Sequence, residues 1–334
     1  MKKINSESLV AIIGIGEYGA SIVNYISSNN EFNENATTIV VDCYDVTLSG
    51  STANKTFLVD KNLFFDFSYI YEECLSENAR TKNMLSSLSG VFYDQLHHFD
   101  VIFLFSETRG YNPSELTKAF SFWLKQSECN SFVIPIIHDL HQRDTLGKTY
   151  CHLDLISHLN IFTDLVVTTS IKNAPFSLSR LQEALEFFLY NLRQTPIVPF
   201  YTENLFYRNS TKSMMAIFDS ISYEPYKGSN EELRSIEKKT LLTIINQFER
   251  KWLNFNSPYI NHLNSGHMFF EILIPNTNLN GFYYLDGLIK NIFSDRQRSL
   301  NVACRINDKN ILEIRLLAIR EKLRPGEYFP DEYD

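Results

Sequence analysis

The residues of this chain best suited to chemistry form a glycine-rich segment near its start, Gly14-Ile15-Gly16-Glu17-Tyr18-Gly19. A short apolar run at 9–13, which predicts a strand, precedes the segment, and apolar residues at helical spacing follow it over 20–27. Glycines between a strand and a helix permit a tight turn, let backbone N–H groups approach a phosphate and aim the helix N-terminus at it. We therefore interpret this segment as the phosphate-binding turn of a nucleotide site.

A carboxylate stands at the end of the second predicted strand, where Thr37-Thr38-Ile39-Val40-Val41 leads into Asp42. In dinucleotide-binding folds, an acidic residue at this place bonds a ribose hydroxyl. An NAD-type dinucleotide-binding protein is therefore one alternative for this chain. The sequence contains no G-x-S-x-G, H-E-x-x-H or similar catalytic motif that would support an oxidoreductase or hydrolase further.

The glycine segment belongs to an alternation of strand and helix patterns in the first half of the chain. Continuous apolar strands that alternate with helices indicate a parallel sheet covered on both faces, so the predicted fold class is α/β with a Rossmann-like sheet. The predicted strands are 9–13, 37–41, 101–105, 131–137 and 164–169, and the predicted helices lie at 78–97, 114–126 and 149–159.

A long amphipathic helix, predicted over 177–193, separates this region from one with a different pattern. There, helical patterns at 229–251 and 285–293 accompany strand patterns at 268–274, 302–306 and 312–319, an order typical of an α+β domain. We predict a nucleotide-binding α/β domain at 1–175, a connecting helix at 176–194, a smaller α+β domain at 210–320 and an acidic flexible tail at 321–334.

Composition excludes several classes of function. The net charge of −8 provides no basic excess for sequence-independent binding to DNA or RNA. The longest apolar runs fall far short of the roughly 20 residues that cross a bilayer, and no signal peptide is recognisable. The 5 cysteines form no Cys-x-x-Cys pair, which is typical of reduced thiols, and we expect a cytoplasmic protein.

Histidine and cysteine side chains concentrated between residues 138 and 158 could supply metal ligands, because histidines three positions apart can share a helix face. We interpret them instead as part of a polar segment and predict no metal site. The side chains concerned are His138, His141, Cys151, His152 and His158.

Several segments, in order and at similar spacing, resemble the FtsZ and tubulin-like proteins. Residues 10–24 resemble that family's first nucleotide loop, I-G-V-G-G-G-G-S-N-A-V-N, and Val40-Val41-Asp42 stands where the family has A-V-N-T-D. Residues 100–105 match its D-M-V-F-I run, and 212–217 its A-M-M-G-I segment. Residues 301–308 and 313–319 resemble its closing hairpin. The chain is therefore identified as a divergent member of this superfamily over roughly 9–320.

The resemblance implies a guanine nucleotide, GTP or GDP and possibly Mg²⁺, at the carboxyl edge of the first domain's sheet. An acid–base pair at the ribose corresponds to Asp144 and Lys148, and an acidic residue that reads the guanine corresponds to Glu186. The implied contacts of the first loop, the second strand and the second loop are Gly14, Gly16, Glu17, Tyr18, Gly19, Ala20, Ser21, Asn24, Asp42, Arg109, Gly110 and Asn112.

The sequence departs from the family where phosphates are held. The family's second loop, G-G-G-T-G-T-G, is replaced by residues 106–115, which contain a single glycine, and Pro113 has no N–H. We expect Glu107 and Glu115 to repel phosphate and Arg109 to contact it. Of the family's acidic residues after the central helix, only Glu203 remains within 196–209, so hydrolysis is expected to be slow or absent.

The resemblance also implies head-to-tail self-association into filaments, because contacts of this kind generate open polymers when they do not close. A tubulin-fold scaffold or binding protein that has lost nucleotide and does not polymerise is the alternative from another class. The tail at 321–334 combines aromatic and acidic residues, and it is a candidate segment for recruiting a protein partner.

Overall fold

The computed structural model divides the chain into two compact units. The first comprises 1–182, 208–214 and 322–334, and the second comprises 183–207 and 215–321. The structure describes residues 4–28, 36–60, 86, 89–90, 92–106, 111–127, 129–138, 146–169, 178–193, 196–200, 205–206, 212–223, 266–274, 279–293, 299–306 and 312–323.

The first unit is built on six parallel strands in the spatial order β3-β2-β1-β4-β5-β6. The side chains of β1 and β4 are buried along their whole length, as expected for strands covered on both faces. The predicted parallel α/β sheet is thereby confirmed. The strands are β1 (Val10–Ile15), β2 (Thr37–Asp42), β3 (Lys55–Leu58), β4 (Val101–Ser106), β5 (Phe132–His138) and β6 (Leu165–Thr169).

The named helices between these strands are α1 (Gly16–Ser27), α2 (Asp45–Ser49), α3 (Tyr111–Gln126) and α4 (Leu146–Phe162). The sequence patterns did not predict β3 or α2, because both are short and only partly buried. Of the predicted helix at 78–97, the described residues 86, 89–90 and 92–96 are helical. Trp123 of α3 packs with Phe92 and Phe120 in the hydrophobic core of this unit.

A buried polar network joins α3 to α4. The Lys118 ammonium donates to Glu115 Oε1, 2.6 Å away on the same helix, and to Asp154 Oδ2 on α4. His158, one turn after Asp154, donates from Nε2 to the Lys118 carbonyl at 2.9 Å. Glu115 and Lys118 are each only 3% exposed. Burial alone would lower the pKa of Lys118, but its bonds to the two carboxylates raise it, so the amine stays charged.

The second unit holds four strands in the order β7-β10-β8-β9, with β10 antiparallel to β8 and β8 parallel to β9. Its helix α6 packs on this sheet through Phe282, Leu285 and Ile289. No helix in the described ranges has the length and apolar character needed to span a bilayer. The remaining elements are α5 (Leu178–Leu192), within which the two units divide, β7 (Lys212–Tyr223), β8 (Gly266–Ile274), α6 (Leu279–Phe293), β9 (Ser299–Ile306) and β10 (Leu312–Leu323).

A charged layer lies inside the second unit, where α5 meets β8 and β10. Its members are Glu186, Glu271, Glu313 and Arg315. The Arg315 guanidinium donates to Glu313 at 2.6 Å and to Glu186 at 2.8 Å, and it lies 3.6 Å from Glu271. Burial by itself would lower the pKa of Arg315, but the surrounding carboxylates raise it. For the fully buried Glu271, burial raises the pKa of the carboxyl group. The Arg305 guanidinium stacks over the Tyr190 ring at 3.8 Å.

The buried histidine of the first unit predicts a pH dependence of stability. Burial lowers the pKa of His158 from its usual 6.5 to about 3, so the folded protein favours the neutral ring. The stability that the folded state gains from the neutral ring is present above pH 6.5, and it is lost as pH falls toward 3. We expect the free energy of unfolding to drop by about 2 kcal/mol between pH 7 and 5 from this group alone. In denaturant titrations, His158→Gln should remove that part of the slope. An unchanged slope would contradict the assignment.

The charged layer predicts a large cost for removing its central cation. Arg315→Met leaves the fully buried carboxylate of Glu271 and the partly buried carboxylates of Glu186 and Glu313 without their nearest counter-charge, and we expect a loss of about 3–5 kcal/mol at neutral pH. The matched control is Lys290→Met, because Lys290 forms an exposed pair with Asp286 and its removal should cost at most about 0.5 kcal/mol. Denaturant unfolding of both variants measures the difference, and equal effects would refute the role given to Arg315.

Candidate functional site

The glycine segment joins β1 to α1 without a loop between them. The strand continues through Ile15, whose φ of −112° and ψ of 123° are extended, and the helix begins at Gly16 with φ of 74°. The predicted strand end at 13 and helix start at 20 were therefore wrong, because all three glycines of the predicted turn belong to regular elements: Gly14 to β1, and Gly16 and Gly19 to α1. A single residue with positive φ, which favours glycine, turns the chain.

The other two glycines are required by close backbone packing. A Cβ atom on Gly14 would lie 2.2 Å from the Gly19 carbonyl oxygen, and one on Gly19 would lie 2.5 Å from the Phe105 carbonyl oxygen. The first turn of α1 thus rests directly on the ends of β1 and β4. This contact is the helix–strand packing that a glycine at the end of such a motif permits.

The first turn of α1 offers backbone N–H groups to an anion. A helical N–H bonds to the carbonyl four residues earlier, so the first bond of α1 runs from Gly19 to the N-cap residue Ile15. The N–H groups of residues 16–18 therefore have no partner within the helix. Ile15, at the position before the helix, has no side-chain oxygen that could cap them. These amides and the positive end of the helix dipole lie at the carboxyl edge of the parallel sheet, where α/β folds bind ligands.

Side chains on α1 have separate local roles. Glu17 is exposed in the first turn, where its carboxylate interacts favourably with the helix dipole and competes with any bound phosphate. Tyr18 is half-buried and Ala20 is buried. The Ser21 hydroxyl donates to the Glu17 carbonyl at 3.0 Å, and this bond occupies it within the helix.

Asn24 connects α1 to the segment after α2. Its Oδ1 accepts bonds from the Thr52 amide at 2.8 Å, the Thr52 hydroxyl at 3.2 Å and the Ser51 hydroxyl at 3.1 Å. Its amide donates to the Gly50 carbonyl at 3.5 Å. In this structure Asn24 therefore organises the loop that leads into β3, and its contact with a nucleotide stays a prediction.

Asp42 lies at the same edge of the sheet as the first turn of α1, because Val41 is paired with Ile15 in the parallel register. The residue is buried, and its Oδ1 accepts a bond from the Cys43 amide at 2.6 Å. Its backbone carbonyl accepts from the Val59 amide at 2.9 Å. The structure thus brings the predicted ribose carboxylate and the predicted phosphate turn to neighbouring strand ends.

The start of α3 is next to the first turn of α1. The Pro113 side chain approaches the Cβ position of Gly16 to 3.1 Å. Pro113 lies in the first helical turn, where an amide has no helical partner anyway, so it fits the helix. The expectation that Glu115 repels phosphate was wrong, because its carboxylate is buried and paired with Lys118.

Glu186, the predicted guanine-reading residue, belongs to the charged layer of the second unit through its bond to Arg315. A guanine contact would have to compete with that ion pair, and this role stays a prediction. The residues Arg109, Gly110, Asp144 and Glu203, the side chains of Asn112 and Lys148, and the tail from 324 onward lie outside the described residues.

Sequence reasoning missed Lys118 and placed Pro113 in the second loop without predicting its contact with Gly16. The spacing of Glu115 and Lys118 was visible, since charges three positions apart on a helix form pairs. Their burial was not visible, because an i,i+3 pair is usually found on an exposed helix face. The contact of Pro113 with Gly16 depends on which helices lie side by side, and no local pattern encodes that arrangement.

No protein-family model and no curated protein matches the sequence. Solved structures do match its fold across nearly the whole chain. An empty FtsZ dimer from M. jannaschii is 11% identical, with a TM-score of 0.65 over 97% of this chain and 95% of that one. CetZ1 from Haloferax volcanii, a GDP-bound monomer, is 11% identical, with a TM-score of 0.61 over 93% of both chains.

TubZ from Bacillus thuringiensis serovar israelensis, solved as GDP-form protofilaments, is 10% identical, with a TM-score of 0.61 over 95% of this chain and 89% of that one. These likenesses agree with the mixed α/β architecture and its mostly parallel sheet. The chain therefore has the fold of the FtsZ and tubulin-like proteins.

Proposed function

We propose that this protein binds a guanine nucleotide at the first turn of α1 and assembles head-to-tail into filaments. The observation that carries the nucleotide site is the uncapped N-terminus of α1, which begins at Gly16 on the carboxyl edge of the sheet. Neighbours of the same fold support guanine as the base, since CetZ1 was solved with GDP and CetZ2 from the same organism with GTPγS.

In the proposed site, the amides of residues 16–18 contact the phosphates and Asp42 contacts the ribose. Arg109, between β4 and α3, supplies a charge-assisted bond to phosphate. Glu17 opposes phosphate binding, because it places a carboxylate in the same helical turn. A bound Mg²⁺ would offset this negative charge beside the phosphates. We therefore expect affinity weaker than micromolar.

Removing the opposing carboxylate tests the location of the site. Glu17→Gln should tighten GTP binding about fivefold, because lifting one exposed like charge is worth about 1 kcal/mol. The matched control is Asp45→Asn, which removes an exposed acidic residue from the first turn of α2 and should leave GTP affinity unchanged. Calorimetry with GTP and NAD measures both effects. Tighter binding of NAD than of GTP would overturn the guanine assignment.

Head-to-tail assembly follows from a different argument. Two unlike faces that contact each other on successive copies generate an open polymer when the rotation between copies does not close. Among proteins of this fold, FtsZ was solved as a dimer and TubZ as protofilaments. Pelleting with and without GTP separates a polymer from a scaffold protein of the same fold, which would stay in the supernatant in both cases.

Hydrolysis should be slow or absent. Phosphoryl transfer depends on positioning and electrostatic stabilisation of the reacting groups. Glu203 is the only acidic residue within 196–209, the segment that resembles the family's water-activating loop. Loss of one preorganised contact of this kind costs about 10²–10³ in rate. Phosphate release should therefore stay near background, and any filaments should persist after GTP is added.

The control for hydrolysis is Glu203→Ala. If phosphate release is measurable and this change abolishes it, Glu203 performs the activation alone and the expectation of a lost activity is wrong. If release is at background in both proteins, the slow-hydrolysis prediction holds.

A further inference from the structure

Lys118 of α3 makes two contacts with α4, one through its ammonium and one through its backbone carbonyl. Its side chain bonds to Asp154 of α4, and its backbone carbonyl accepts a bond from His158, one turn further along the same helix. Lys118 also binds Glu115, one turn toward the start of α3. Two links separated by one helical turn define both the distance and the axial position of α3 relative to α4.

A second set of contacts joins this network to the turn that begins α1. Thr117, next to Lys118, donates from its hydroxyl to the Pro113 carbonyl at 2.6 Å. The same hydroxyl lies 2.5 Å from Ser106 Oγ, at the end of β4. Pro113 in turn lies against Gly16, the first residue of α1. The position of α3 along its axis thus determines where its first turn meets the first turn of α1.

Stability alone does not account for this network. Replacing a buried ion pair by well-packed apolar residues of similar volume is often neutral or stabilising, so apolar side chains would hold the two helices together equally well. Apolar contacts are non-directional and tolerate a shift of one helix along another, whereas bonds to a charged amine and a carbonyl do not. The polar groups therefore specify register.

We propose that Lys118 is a positioning residue for the phosphate site: it sets the axial position of α3 and so holds its first turn against Gly16. One consequence of this inference rests on the proposed nucleotide function: tight phosphate binding should need the correct axial position of α3. The structural part concerns the nucleotide-free protein and can be measured without any ligand.

The test compares Lys118→Met with Leu155→Ala, a change at a fully buried position beside Asp154 that removes packing and leaves the ion network intact. Amide hydrogen exchange is measured on the nucleotide-free proteins at denaturant concentrations that equalise their global stability. Lys118→Met should speed exchange at the helix-bonded amides of residues 19–22 and 114–117 at least tenfold relative to Leu155→Ala. Equal exchange in both variants would overturn the proposal.

A third variant separates register from stability. The triple change Glu115→Leu, Lys118→Met and Asp154→Leu removes every charge of the network and should restore global stability. Exchange at residues 19–22 should remain fast, and GTP affinity should stay at least tenfold below that of wild type. If the triple variant regains wild-type exchange, generic packing positions α3 and the proposal fails. If the exchange pattern holds but wild type binds no GTP, the nucleotide function fails and the positioning role stands.

Discussion

The first unit depends on the contact of α1 with the backbones of β1 and β4. Gly14 and Gly19 lie so close that a Cβ atom on either would overlap a carbonyl oxygen of the other or of Phe105. This approach brings the start of a helix to the centre of a parallel sheet, between the ends of β2 and β4. Every other group at the candidate site is placed relative to that turn, because β2 and β4 pair with β1 along its length.

Both units bury charge, and each does so around one cation shared by several carboxylates. Lys118 in the first unit and Arg315 in the second are each 3% exposed. Buried ions are costly unless their partners are in place, so each group makes its unit sensitive to the loss of a single side chain. The bonds are directional, and they tie α3 to α4 in the first unit and α5 to β8 and β10 in the second.

At the candidate site the backbone attracts an anion, and an acidic side chain of the same turn repels it. The amides of residues 16–18 and the helix dipole attract an anion, whereas Glu17 repels one from the same turn. Glu115, which the sequence places near the second loop, adds no repulsion because Lys118 neutralises it inside the protein. A proposed ligand thus meets one exposed opposing charge in the described part of the turn.

The fold class could be read from the sequence, because long apolar strands alternating with helices encode a parallel sheet in their local pattern. The glycine segment likewise marked the turn from β1 to α1, since glycine is the residue type that a positive φ and close backbone packing require. The turn's boundaries were misjudged, because a glycine that permits close packing inside a strand or helix has the same letter as one that makes a loop. The sequence did not predict β3 and α2, because each is too short to show a recognisable hydrophobic periodicity.

Only the tertiary structure decided which charges face solvent and which face each other. Glu115 and Lys118 look like a surface pair on any helix, and their burial follows from α4 covering that face of α3. Glu186 and Arg315 are separated by more than a hundred residues, and the bond between them forms because the strands of the second unit meet α5. Periodicity records how one element is built, whereas ion pairs between elements depend on packing that no local stretch of sequence contains.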